Sequence, residues 1–304
     1  MKYIQQGYKG KIGLWKYLII PIMFFGLMGL NFLAIVVLDL DVEQIIQQEI
    51  AAKGKNRFLI ESLLPFAIGL AMLFLWVKYV HQQRITTLTT SRKKVDWKRV
   101  FFSFGLWTML TIGLLGADYI MSPENYEWNF ELVPFLTLVA IAVVLVPIQT
   151  SFEEYFFRGY LMQGLGIVFK KKWIPLFLTS TLFGLLHMGN PEVAKLGNLS
   201  MIYYIGTGFF LGILTLMDEG LELALGFHAA NNLITALLVT ADWTAFQTHS
   251  VFKDVSDPVL GVDVLIPVFV IFPIILFVFA KEYGWSNWKD TLFGSVENPV
   301  SHEE

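Results

Sequence analysis

The sequence predicts an all-α protein, a polytopic bundle of transmembrane helices. Its 304 residues are 55% hydrophobic and only 15% charged, whereas soluble domains usually carry about 25% charged residues. Apolar runs of about 20 residues, the length that crosses a hydrocarbon core, also recur along the whole chain. These two observations disfavour the alternative of a large soluble protein with an extensive core.

We expect about eight membrane spans, because eight apolar segments approach the length that a core about 30 Å thick requires. Their limits in chain order are 17–38, 58–80, 100–120, 132–150, 173–187, 199–217, 221–240 and 264–280. The fourth continues into a polar extension, and the fifth is short. The chain contains no internal repeat or low-complexity segment, so we predict a single integral-membrane domain over residues 1–304.

The placement of Lys and Arg predicts the orientation of the bundle. Basic residues cluster at the N-terminus, after the second span, after the fourth span and at the start of the tail 281–304. If every span crosses, these clusters share one side, and the acidic loop 118–131 lies on the other. We therefore expect both termini, including the tail, in the cytoplasm. Lys53, Lys55 and Arg57 lie on the outer side, against this rule.

A short amphipathic segment at 41–53 lies between the first two spans. Its apolar residues Val42, Ile45, Ile46 and Ile50 recur at helical spacing. Such a helix can lie on the outer membrane surface, and an ordinary loop helix is an equally open interpretation.

Composition excludes several classes of protein. The chain has no cysteine, which excludes disulfides, thiolate metal sites and a cysteine nucleophile. Its net charge of −3 does not suggest a nucleic-acid partner. The apolar stretch that follows the basic N-terminus is too long for the core of a signal peptide, so we expect it to be retained as the first span.

Three spans carry polar groups that a bilayer should expel. A charged side chain near mid-membrane costs about 2.5–3.5 kcal/mol even on lenient insertion scales. We therefore expect these groups to face one another inside the bundle, as in a catalytic site. They are Glu153, Glu154 and Arg158 in the fourth span, His187 in the fifth, and His228 and Asn232 in the seventh.

Helix geometry separates the two glutamates. Neighbouring residues on a helix lie about 100° apart, so Glu153 and Glu154 cannot point the same way. Glu154 and Arg158 are four residues apart and can pair. Glu153 is then free to act as a general base, although it could also pair elsewhere for purely structural reasons.

The other polar residues also lie at helical spacing. His187 follows Phe183 by four residues, and Gly184 between them permits close helix contact. His187 alone could serve only as an interhelical hydrogen-bond donor. His228 and Asn232 share one face and can present N–H donors to a single oxygen, as an oxyanion site requires.

Estimated depth is less consistent. Counted at 1.5 Å per residue from their cytoplasmic ends, Glu153 and His187 lie roughly 25 and 21 Å deep, and His228 only about 10 Å. The remaining histidines, His81, His249 and His302, fall in loops or the tail, where we expect them to be solvated.

The three segments resemble the CPBP family of intramembrane proteases, which includes type II prenyl-CAAX endoproteases and proteins linked to bacteriocin self-immunity. That family's pattern is Glu-Glu-x-x-x-Arg, Phe-x-x-x-His and His-x-x-x-Asn or Asp. Here the segments read Glu153-Glu154-Tyr155-Phe156-Phe157-Arg158, Phe183-Gly184-Leu185-Leu186-His187 and His228-Ala229-Ala230-Asn231-Asn232. The similar core covers about 132–240.

The resemblance implies a metal-independent glutamic protease without a cofactor. Glu153 would activate water with the help of His187, and His228 with Asn232 would stabilise the oxyanion. Glu154 and Arg158 would orient the site. The implied substrate is a protein or peptide, lipidated or membrane-embedded, and the implied location is a bacterial inner membrane.

Two alternatives stay open. Glu153, His187 and His228 are the ligand types of a two-histidine, one-carboxylate zinc site, although the chain has no His-Glu-x-x-His helix. The bundle could also be a non-enzymatic immunity factor or scaffold, or a transporter, since polar groups within spans also mark ion pathways.

Overall fold

The computed structural model of the protein describes residues 1–258 and 264–299, and within them most elements are helical. Residues 300–304 of the predicted tail, with His302, lie outside the described residues. The α-helices are α1 (Leu14–Val37), α2 (Val42–Lys53), α3 (Lys55–Tyr79), α4 (Ile85–Thr89), α5 (Trp97–Met121), α6 (Leu132–Glu154), α7 (Met162–Phe169), α8 (Trp173–Leu185), α9 (Pro191–Leu196), α10 (Met201–Asp218), α11 (Glu222–Leu238), α12 (Phe272–Tyr283) and α13 (Trp288–Phe293).

Among the described residues, five helical segments are long and apolar enough to cross a membrane. They are Leu14–Val37, Lys55–Tyr79, Trp97–Met121, Leu132–Phe169 and Asn198–Asp218, and a shorter apolar helix covers Trp173–Gly189. The all-α membrane bundle is consistent with this architecture. The helices of the predicted seventh and eighth spans, α11 and α12, are shorter, so the count of about eight and the position of the termini stay predictions.

The outer faces of the long helices are apolar. Leu27 and Leu30 of α1, Met109 of α5 and Val133 of α6 each expose more than half of their surface. Contiguous exposed apolar surface is rare on soluble monomers. It suits helices whose outer faces contact lipid.

The longest helix runs continuously over Leu132–Phe169 and carries the two glutamates. Its central part, Tyr155–Leu161, is a π-helix that separates α6 from α7. Such wide turns within α-helices occur frequently at functional sites. Phe156, Phe157 and Tyr160 are buried in it, so this helix passes through the middle of the core.

Glycines set the closest approaches between helices. A Cβ on Gly226 of α11 would lie 2.1 Å from the carbonyl oxygen of Val100 in α5. A Cβ on Gly184 of α8 would lie 2.8 Å from the backbone nitrogen of Ile205 in α10. At both contacts two backbones meet, which requires the small side chains typical of packed membrane helices.

The turn between α10 and α11 is buried, and this explains the shallow estimate for His228. Leu221 and Glu222 are fully buried, and the Leu221 N–H donates to the carbonyl of Thr89 at the end of α4 (2.8 Å). Arg92 covers the turn through ion pairs with Asp218 (3.2 Å) and Glu222 (3.3 Å). Helix α11 therefore begins beneath other parts of the protein and not at the surface of the bundle. Counting residues from its start underestimates how deeply His228 lies.

A small sheet, which the sequence pattern did not predict, lies at one end of the bundle. Strand β3 (Phe252–Asp254) pairs antiparallel with β1 (Tyr126–Trp128) and parallel with β2 (Val239–Thr240), in the order β1-β3-β2. It ties the loop between α5 and α6 to the chain that follows α11. At the same end, α2 forms over the segment 41–53, and the side chain of Asp41 caps it by accepting from the Gln44 N–H (3.0 Å).

The expectation that His81 is solvated is wrong. Only 1% of its surface is exposed, because the N-terminal segment packs over the loop that follows α3. Its Nε2 atom lies 3.2 Å from the Tyr160 hydroxyl, and its ring packs on Tyr17 with centroids 4.3 Å apart. Burial lowers the pKa of His81 below its usual range. His249 is also half-buried.

We predict that Gly226→Val lowers the thermal midpoint of the purified protein in detergent, because the new side chain must displace the α5 backbone. Overpacking usually costs about 1–3 kcal/mol, occasionally more. Gly113→Val in α5 is the matched control, since a Cβ there meets nothing within 4 Å. Equal midpoints for the two variants would contradict this account of the α5–α11 contact.

Candidate active site

A buried carboxylate, that of Glu154, joins two of the three polar segments. Glu154 and Arg158 are both fully buried. The Oε1 atom of Glu154 accepts hydrogen bonds from an Arg158 terminal nitrogen (2.9 Å) and from His228 Nδ1 (2.8 Å). The spacing of four residues therefore yields an ion pair, and a histidine from another helix completes it. Because an ionised carboxylate only accepts, Nδ1 of His228 carries a proton.

Arg158 extends this cluster to two more helices. Its other terminal nitrogen donates to the carbonyl of Gly208 in α10 (3.1 Å). The guanidinium lies 4.2 Å from the ring centroid of Phe183 in α8, a favourable cation–π arrangement. One side chain thus links the central helix to α8 and α10, and through Glu154 to α11.

His228 lies between the two glutamates. With Nδ1 bound to Glu154, its Nε2 atom faces Glu153 Oε2 at 3.6 Å. That distance exceeds a hydrogen bond, so the contact is electrostatic and leaves Nε2 available to a third group. A protonated ring would present an Nε2–H donor at this point.

Glu153 is separated from Glu154, as the helix geometry predicts. It keeps 8% of its surface exposed and lines a cavity. Its Oε1 atom accepts from the side-chain amide of Gln149, one turn earlier on α6 (2.6 Å). The other carboxylate oxygen, Oε2, has only the 3.6 Å contact to His228 among the described residues and is the atom placed to take a proton.

A chain of hydrogen bonds between side chains ends at Glu153. The Trp107 indole N–H donates to Asn231 (3.1 Å), Asn231 to Asn232 (3.0 Å), and Asn232 to Gln149 (3.1 Å). Gln149 then donates to Glu153. Because an indole nitrogen only donates, it sets the direction of every amide after it. All four bonds therefore point their N–H groups towards the carboxylate.

The sequence reasoning missed Gln149 and Trp107, and it gave Asn231 no role. A signal for Gln149 existed, since an amide four residues before Glu153 on an apolar helix shares its face. Trp107 carried no such signal, because its partner belongs to a helix more than 100 residues away in the chain.

His187 contributes a free ring nitrogen. Its Nδ1 atom lies 3.0 Å from the carbonyl oxygen of Phe183, and a carbonyl only accepts, so the proton is on Nδ1 and Nε2 is the acceptor in the neutral ring. The ring stacks on Tyr204 with centroids 4.3 Å apart. Within the described part of the chain, no hydrogen bond or ion pair connects His187 directly to Glu153.

The space between these groups is a cavity of about 980 Å³. Glu153, His187, His228 and Asn232 all line it, together with aromatic and aliphatic side chains of α1 and α3. A concave, mostly apolar site with a few convergent polar groups is the usual form of a binding site. The arrangement can hold a water molecule between a base and an electrophile.

The structure also bears on the zinc alternative. Over residues 1–258 and 264–299, no group of three or more His, Asp or Glu side chains could hold a metal ion. Glu153, His187 and His228 thus do not form a ready ligand set in this conformation.

Comparison with known proteins finds a family model that matches the part of the chain that carries the polar segments. Residues 132–234 match the family described as type II CAAX prenyl endopeptidase Rce1-like, which confirms the resemblance carried by the three polar segments. The "Uncharacterized protein YyaK" of Bacillus subtilis (strain 168) is 37% identical over 171 residues, or 55% of this chain. The chain spans about half of that relative, 56% of its length. No solved structure matches the chain.

We predict that Arg158→Met strongly destabilises the protein, because it leaves the buried Glu154 carboxylate without its cation. Breaking a buried ion pair in this way costs about 3–5 kcal/mol. The measurement is denaturant unfolding of the purified protein in detergent.

Arg57→Met is the matched control, since Arg57 forms the same four-residue pair with Glu61 (2.9 Å) but keeps 71% of its side chain exposed. An exposed pair contributes about 0–1 kcal/mol. If Arg158→Met costs no more than Arg57→Met, the buried cluster does not stabilise the bundle as described.

Proposed function

We propose that this chain, whose residues 132–234 match the Rce1-like family of type II CAAX prenyl endopeptidases, is an intramembrane endopeptidase. It hydrolyses a peptide bond near the membrane surface. The observation that supports the proposal is the shared cavity, which Glu153, His187 and His228 all line. A base, a second acceptor and a donor are the groups that hydrolysis of an amide requires.

In the first step, a water molecule in the cavity loses a proton to Glu153. The His187 Nε2 lone pair accepts a hydrogen bond from the same water and orients it. The water oxygen forms a bond with the carbonyl carbon of the substrate, and the carbonyl π electrons move to its oxygen. Holding the water and the carbonyl in one enclosed site reduces the entropic cost of this attack.

The oxyanion that forms is stabilised by N–H donors from α11. His228 donates through Nε2–H, and Asn232 through the amide hydrogen that Gln149 does not use. Donors positioned beforehand in a site of low polarity stabilise such a charge strongly. The proton held by Glu153 then passes to the leaving nitrogen, the C–N bond breaks, and both product termini are released.

Glu154 and Arg158 act on His228 without contacting the substrate. The carboxylate fixes Nδ1–H and so orients the ring, which donates from Nε2 in its doubly protonated form. Arg158 holds that carboxylate in place. The proposed mechanism uses no metal or other cofactor. We further propose a multi-pass location in a bacterial inner membrane, with a protein or peptide substrate that is lipidated or membrane-embedded.

We predict that Glu153→Gln abolishes cleavage while the protein remains folded and inserted. Loss of a general base typically lowers a rate about 10²–10⁴-fold. The measurement is comparative proteomics of membrane-derived peptides from cells with wild-type and variant protein, followed by cleavage of the peptides found, using purified enzyme.

Glu127→Gln, in an exposed strand of the small sheet, is the control and should leave the peptide profile unchanged. Retained cleavage by purified Glu153→Gln protein would refute the glutamate mechanism. Bound zinc, together with loss of activity after treatment with a chelator, would favour the metal-dependent alternative instead.

A second prediction concerns Gln149. Gln149→Leu removes the hydrogen bond that holds Glu153 and interrupts the amide chain. A hydrogen bond to a charged group contributes about 1.5–3 kcal/mol, so cleavage should slow by about 10–150-fold. Gln48→Leu on the exposed side of α2 is the control. Equal rates for the two variants would show that the chain of side-chain hydrogen bonds does not position Glu153.

A further inference from the structure

The cavity is lined mainly by segments near one end of the bundle. Its lining includes α1 from Phe24 onward, the first turns of α3 and α10, the last turns of α6 and α8, and α11 from Phe227 onward. The amphipathic helix α2 and the loop after β2 complete its rim through residues such as Val42, Ile46 and Thr244. This end, defined by α2, α9 and the small sheet, is called the open end below.

The opposite end is filled beneath the catalytic groups. Tyr3 is buried there, and its hydroxyl lies within hydrogen-bond distance of the carbonyl oxygens of Leu88 (2.7 Å) and Arg158 (3.1 Å). Gln163 is fully buried, donates to Thr87 (3.0 Å) and accepts from Gln83 (2.9 Å). The N-terminal segment thus seals this closed end, and the cavity does not continue through it.

Charge distinguishes the two ends. Most of the 22 Lys and Arg residues lie at the closed end. They belong to the N-terminal segment, the segment 78–99, the connection 170–172 and the chain after α12. Basic residues in short loops mark the cytoplasmic side of a membrane protein.

Most of the basic residues at the open end form ion pairs with acids. Lys53 pairs with Glu49 and with Glu61, which also binds Arg57. In the same way, Lys195 lies 3.1 Å from Glu43, and Lys253 lies 2.6 Å from Asp242. The three bases that oppose the predicted orientation, Lys53, Lys55 and Arg57, are few beside the Lys and Arg residues of the closed end, and the number of Lys and Arg residues is what indicates the cytoplasmic side.

We propose that the cavity admits its substrate from the non-cytoplasmic face of the membrane. A cytoplasmic peptide would meet the sealed end, whereas a segment on the other face reaches Glu153 through the rim formed by α2 and the loop after β2. One wall of this path, made by Phe24, Phe25, Met28 and Phe32 of α1, is apolar. It suits a peptide whose scissile bond adjoins an apolar stretch.

The substrate class follows from the side of access, and this part rests on the proposed function. It is a segment of an exported or membrane-anchored protein that lies at the non-cytoplasmic surface. The side of access itself does not depend on catalysis, so it can be tested separately.

The absence of cysteine makes the chain suited to labelling single introduced thiols. Thr235→Cys places a thiol on the cavity wall, at an exposed position of α11. Glu127→Cys in β1 reports the open end, and Lys94→Cys reports the closed end, both at exposed positions. Each variant is produced in bacterial spheroplasts and treated with a maleimide that cannot cross the membrane, before or after permeabilisation.

We expect Thr235→Cys and Glu127→Cys to react in intact spheroplasts, and Lys94→Cys to react only after permeabilisation. The reverse pattern would overturn the proposal and place the cavity on the cytoplasmic side. Labelling of Glu127→Cys but not of Thr235→Cys in intact spheroplasts would also overturn it, because the cavity would then be closed to water on that face.

A second measurement tests the substrate class. Peptides that disappear in cells with Glu153→Gln should come from segments on the non-cytoplasmic side, and a set from cytoplasmic termini would contradict the proposed route. If no peptide disappears while the labelling pattern is as expected, the proposed protease activity fails and the assigned side of access stands.

Discussion

The structure depends on one buried carboxylate, that of Glu154, which Arg158 and His228 share. An isolated charge in this environment would cost several kcal/mol. Helix α11 must therefore pack against the central helix in the one position and orientation that place His228 beside Glu154. Arg158 extends the same requirement to α8 and α10 through Phe183 and the Gly208 carbonyl. The interaction that satisfies the charge is thus also the one that positions His228.

Two adjacent glutamates acquire different properties from this arrangement. Glu154 binds Arg158 and His228 through its Oε1 atom, whereas Glu153 faces the cavity and is held by a single amide, that of Gln149. The amide belongs to a chain of hydrogen bonds that begins at a donor-only indole. The direction of these hydrogen bonds is therefore set by the neutral indole N–H of Trp107 and not by a charged group. Glu153 is thus held by this chain of hydrogen bonds on one side and faces the cavity on the other.

Much of the fold was predictable because it follows from local pattern. Apolar length located four of the five long helices to within a few residues, and it marked the start of the fifth, Leu132–Phe169. Spacing of four residues paired Glu154 with Arg158. The rest came from contacts between distant segments. His81 looked like a loop residue, but the N-terminal segment covers it. The depth of His228 was underestimated because the turn between α10 and α11 is buried beneath α4. The spacing of residues within α11 carries no information about what covers the start of the helix.

The sequence by itself determined that this is a membrane protein, that three of its segments carry polar groups, and that the two glutamates point in different directions. These features depend only on composition and on the helical repeat. Only the tertiary structure decided which ring nitrogen of His187 and of His228 is engaged in a hydrogen bond, that Gln149 holds Glu153, and that the cavity is lined by segments away from most of the basic loops. Hydrogen-bond direction and the closure of a cavity depend on atoms from helices far apart in the chain, and spacing along one helix carries no information about them.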